Sequence, residues 1–157
     1  MSASGSAASV PIDPSLLDHF PATVDGLTLL PSPESDAAAA ADPVVVENGE
    51  AVVTAIAVDP TTDEFVYATA VRLRDGVYGE ALFRQWRDTF DEGACEQAGG
   101  VIGHAEAELG GRSVFIGSCA GGLHTYHTWL AGARLLVSLS AIGERRLGEQ
   151  LIEGLRE

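Results

Sequence analysis

Three histidines and two glutamates carry much of the chemistry this chain can offer. His104, Glu106 and Glu108 alternate along one segment, and HTYH places His124 and His127 on another. An imidazole beside a carboxylate can act as a general acid–base pair or help bind a divalent metal. On a helix His124 and His127 would share a face, but on a strand they point to opposite sides and cannot hold one ion together. His104, His127 and Glu106 could still meet across a sheet, and they are the residues a small hydrolase-type or metal-dependent enzyme would use. The helical ligand spacing of HExxH is missing, and so is a Cys cluster. No cofactor is implied, because the Gly-Gly pairs lack the Lys of a phosphate loop and the chain contains no Lys.

Nucleophilic chemistry has thinner support. Ser118 is not in a GxSxG elbow, since Gly117 precedes it directly. Cys119 with His124 or His127 would make a thiol–imidazole pair. The chain has two cysteines, Cys95 in ACEQAGG and Cys119 in SCAGG, both just ahead of glycine pairs. We expect them to be bridged, which consumes the thiol and points to an oxidising compartment. The alternative is two buried free thiols. Asp59, Asp63 and Glu64 in DPTTDE offer oxygens suited to Ca²⁺, but too few for an EF-hand loop. A capped turn is the simpler expectation there.

The elements that position these residues follow from periodicity. Val101 to Ser140 reads as four short strands, roughly 101–109, 112–119, 123–130 and 134–140, joined by Gly110-Gly111, Gly121-Gly122 and Ala131-Gly132. Loops this short force antiparallel neighbours, hence a meander. In the simplest register one face collects Ala105, Ala107, Leu109, Val114, Ile116, Tyr126, Leu130, Leu135, Val137 and Leu139. The other collects His104, Glu106, Glu108, Phe115, Thr125, His127 and Trp129. From that second face, His104, Glu106, Phe115, His127 and Trp129 form the candidate ligand-binding set. Its plain alternative is that a helix covers the face.

The rest of the chain supplies the cover. Asp13 to Phe20 begins a short helix stopped by Pro21, and Ser32-Pro33-Glu34 begins another, with Ser32 as its cap. Residues 44–58 are β-branched, yet Val46, Val53, Ile56 and Ala57 fit a helical stripe, and a helix over 50–58 is expected. Phe65 to Leu73 alternates as a strand with one apolar face. Gly79 to Cys95 is the main helix, with Leu82, Phe83, Trp86 and Phe90 as a core stripe and Asp91 among its outward residues. A final helix spans about 143–156. The fold expected is a single α+β domain over 11–157, an antiparallel meander packed against two or three helices, preceded by a flexible leader over 1–10.

Charge narrows the partners. The first seventy-one residues hold eleven carboxylates and no Arg or Lys; the net charge is −14, and all nine cations are Arg. Nucleic acid binding needs clustered cations, so it is not expected, and neither are anionic membrane surfaces. The negative field suits a neutral or cationic ligand, either a small molecule or a protein. No apolar run is long enough to cross a bilayer. A monomer or weak homodimer is expected.

The ordering of elements resembles that of secreted or lipid-anchored α+β domains of high-GC bacteria whose function is unassigned. The resemblance rests on the leader SASGSAAS, the opening LLDHFPATVDGLTLLP, the GG-linked strands and the final ERRLGEQLIEGLR helix. It covers most of the chain and carries over no functional residues. It implies an extracytoplasmic domain, held at the surface by a Ser/Gly/Ala tether. With the cysteines, this makes a non-enzymatic binding domain the leading expectation. A cytoplasmic domain with reduced cysteines is the alternative.

Overall fold

The computed structural model describes residues 8–157, so most of the expected leader lies outside them. Val10 already belongs to the fold, because its amide donates to the Ala40 carbonyl. A 3-10 helix covers Pro14–His19, and the Asp13 carboxylate accepts the Ser15 amide at its start. Strands β1 (Thr23–Val24) and β2 (Leu27–Thr28) form a tight hairpin over Asp25-Gly26. Then come β3 (Leu30–Pro31), α1 (Pro33–Ala40), α2 (Pro43–Asn48), β4 (Gly49–Val58), β5 (Phe65–Leu73) and α3 (Glu80–Cys95). The meander β6 (Val101–Leu109), β7 (Arg112–Cys119), β8 (His124–Leu130) and β9 (Leu135–Ile142) leads to α4 (Leu147–Glu153).

Seven strands form one antiparallel sheet in the order β3-β4-β5-β9-β8-β7-β6. The chain builds the β4–β5 hairpin, crosses through α3 to the far edge, and walks back along the meander until β9 pairs with β5. The edges differ: β3 has two residues and ends in Pro31, while β6 is nine residues long, with Glu106 and Glu108 exposed on it.

Both faces of the sheet are covered. Leu16 of the 3-10 helix and Phe20 just after it, with Leu147, Leu151 and Ile152 of α4, bury the face carrying Val66, Ala68, Val114, Tyr126, Leu130 and Val137. α1, α2 and α3 bury part of the other face, where Phe83 and Trp86 meet Val52, Val71 and Leu136. Two-sided cover explains the main departures from the sequence reading. Residues 50–58 are strand, not helix, because Val52 packs toward α3 while Val53 and Ala57 pack the opposite way. A strand buried on both faces reads as a continuous apolar run, and the helical stripe in it is coincidental. β5 likewise buries Val66, Ala68 and Ala70 as well as Val71 and Leu73. Ser32 does not cap α1 through its side chain; its hydroxyl meets that of Ser35.

Cys95, the last residue of α3, is bridged to Cys119, the last residue of β7, with Cα atoms 5.2 Å apart. The bond closes a separation of 24 residues and packs with Leu123. A double Cys→Ala variant is expected to lose about 3 kcal/mol, read from denaturant midpoints. Non-reducing peptide mapping should recover the two cysteines as one linked pair, and two free thiols would overturn the pairing.

The DPTTDE turn is held by an arginine. Asp59 accepts the Thr61 amide at 2.8 Å and pairs with the Arg145 guanidinium, while Glu64 accepts the Arg145 amide at 2.9 Å. Arg145 also reaches Asp25 at 2.8 Å and so ties the β1–β2 hairpin to the turn.

Candidate functional site

The register places the five candidate residues on one sheet face. Glu106 lies opposite Phe115, Phe115 opposite His127, and His127 opposite Ser138; one row away, His104 faces Gly117 and Gly117 faces Thr125. α3 then crosses this face and divides the set in two.

His104 and His127 belong to a polar network beneath the C-terminal half of α3. Asp91 projects from the helix and is 1% exposed. The sequence reading put it among the outward residues, but the buried arc of α3 is wider than its aromatic stripe and runs from Trp86 through Phe83 to Asp91 and Cys95. Asp91 Oδ1 lies 2.7 Å from His127 Nε2 and accepts the Thr125 hydroxyl at 2.6 Å. His127 Nδ1 lies 2.7 Å from Ser138 Oγ, which also accepts the Trp86 indole N–H at 2.7 Å. The indole can only donate, so the serine proton is free to go to His127 Nδ1. The imidazole then presents an N–H at Nε2 to the carboxylate. Asp91 Oδ2 has no hydrogen-bond partner; His104 Nε2 is 3.4 Å away, with 48% of its side chain exposed.

Gly117 permits this approach. A Cβ there would come within 2.7 Å of Asp91 Oδ2 and would also collide with the Thr125 hydroxyl, so the sheet must be bare at that point. Burial pushes the Asp91 carboxyl up. The hydrogen bond and charge of His127, the Thr125 hydroxyl and the charge of His104 outweigh burial and hold it below the usual carboxylate range.

His127 therefore does not stand on an accessible surface as expected. It is 0% exposed and both ring nitrogens are engaged. The Ser138–His127–Asp91 chain has the residue types of a hydrolytic triad, but Ser138 is also 0% exposed. An enzyme built on His104, His127 and Glu106 would lack its central imidazole. His124, on the opposite side of the strand from His127, is exposed, and its Nδ1 lies 3.1 Å from the Ser118 hydroxyl. The bridge engages the Cys119 thiol.

Glu106, Phe115 and Trp129 lie at the other end of α3 and line a cleft of about 640 Å³. Tyr78, from the loop before α3, stacks on Trp129 with ring centroids 4.0 Å apart and planes 2° apart. Phe83 contacts both Tyr78 and Phe115, and the Arg87 guanidinium lies over the Phe115 ring at 4.7 Å. Burial first, and then the charge of Glu80, raises the Tyr78 phenol above its ordinary value, so it remains a neutral donor. Arg84, Arg87 and Arg112 line the cleft together with Glu80 and Glu106. Three of the nine cations thus border it, and its charge is mixed rather than negative. Tyr78 and Arg87 were missed from sequence because their roles depend on where α3 lies. The VYGE entry to that helix was the available signal.

The fold and cleft define a three-layer α+β domain with an aromatic-lined recess. Among the described residues no helix is long and apolar enough to cross a membrane. Comparison with protein-family models, curated proteins and solved structures found no significant match.

Proposed function

We propose that the protein is a non-enzymatic, extracytoplasmic binding domain that takes a small ligand in the cleft of Tyr78, Phe115 and Trp129. One observation carries the reading: the helices seal much of this sheet face, yet four aromatic rings gather where a recess stays open. Its volume suits a small molecule better than a flat protein partner. The rings offer planar apolar contact, and Arg87 and Glu106 offer orientation. The Cys95–Cys119 bridge supports an oxidising compartment.

The test is a thermal-shift screen of planar, polar-substituted small molecules against the wild type and Trp129→Ala. Trp129 is half-buried at the cleft, so its removal is expected to leave the fold nearly as stable while abolishing the shift from any hit. Hits that stabilise the variant equally would move the site elsewhere.

A further inference from the structure

A second cleft, of about 630 Å³, opens on the opposite flank of α3, between that helix and α1. Its floor is the middle of the sheet, where Tyr67, Thr69 and Ser140 point toward the helices. Thr69 is 3% exposed and Ser140 7%, yet neither hydroxyl has a partner among the described residues. Both residues line the cleft, so their hydroxyls border it. Buried polar groups normally find partners, and these two present theirs to whatever enters.

The walls add charge and shape. Trp86 and Phe90 supply aromatic surface from α3, and Glu34 and Asp42 supply carboxylates from the α1–α2 side. No Arg lines the cleft. Gly93, in the interior of α3, lines it as well, and a Cβ there would meet nothing within 4 Å. Packing does not demand a glycine at this helical position, where glycine is unfavourable. Its effect is to leave the wall bare.

We propose that this cleft binds an organic ammonium ion with an apolar body. Aromatic faces and carboxylates attract the cation, and the floor hydroxyls take a polar substituent. The proposal does not depend on the Tyr78–Trp129 recess.

Choline and its uncharged isostere 3,3-dimethylbutan-1-ol serve as probes, because they match in shape and differ in charge. Calorimetric titration of the full chain is expected to show choline binding roughly tenfold more tightly. Glu34→Gln with Asp42→Asn should erase that preference; Asn still caps α2. Gly93→Leu should fill the cleft and abolish binding, with the thermal melt confirming a folded protein. Should that variant fail to fold, Ala38→Leu on the exposed opposite wall provides the block. Equal affinity for the two probes, lost together in the blocked variant, would mean a ligand cleft that does not select cations and would overturn the proposal. Binding that persists in the blocked variant, or no binding of choline at any attainable concentration, would overturn it too.

Discussion

Replacing Asp91 by Ala is expected to lower the unfolding free energy by about 3–5 kcal/mol. The carboxylate reaches from α3 into the polar strip of the sheet, and it receives both His127 Nε2 and the Thr125 hydroxyl. Without it, those donors stay buried with no acceptor, because Thr125 and His127 are themselves fully buried. The orphaned donors therefore matter more than the lost bonds themselves. Asp91→Asn keeps the shape and one acceptor oxygen and should cost less. A denaturant midpoint for Asp91→Ala within experimental error of wild type would show that the network does not hold α3 down.

The same carboxylate has a pH signature. Its folded value lies below its unfolded value of about 3.9. The folded state therefore holds the proton less tightly than the unfolded state. Its contribution is complete above about pH 4 and drains away as the pH falls through the folded value. The stability gap between wild type and Asp91→Asn should be flat from neutrality to mildly acidic pH and narrow below it. A gap that widens in acid would reverse the sign argued here.

Trp86→Ala is expected to cost about 3–5 kcal/mol, from lost burial and the cavity left behind. Trp86 is buried between α3 and the sheet, and its indole N–H fixes the orientation of the Ser138 hydroxyl. Trp86→Phe separates the two contributions. It keeps most of the apolar volume, removes the hydrogen bond, and should cost about 1 kcal/mol from that bond plus a packing term. An unchanged melting temperature for Trp86→Ala would mean that the Phe83–Trp86 stripe is not packing.

Much of the architecture was legible because its signals are local. Gly-Gly pairs between alternating segments gave the meander, and period two placed Phe115, His127 and Trp129 on one face. The helical spacing of Phe83 and Trp86 identified the buried side of α3. That a helix could cover that face was foreseeable; which part it covers was not, since that depends on α3 carrying the chain to the far edge before the meander returns. His127 therefore looked like a surface ligand, and Asp91, on the margin of the stripe, looked like a solvated charge. Residues 50–58 failed for a related reason. A strand buried on both sides loses the alternation that would distinguish it from a helix.

The unequal ends of the sheet have a colloidal consequence. One end is closed to further pairing by a two-residue strand that finishes in proline. The other offers nine residues of backbone, and along it stand the exposed carboxylates of Glu106 and Glu108, the kind of charge that discourages a further strand from adding to an edge. Glu106→Val with Glu108→Val is expected to self-associate more than wild type, as read by light scattering at neutral pH. Solubility would then rest on two side chains at one rim as well as on the net charge of the whole molecule.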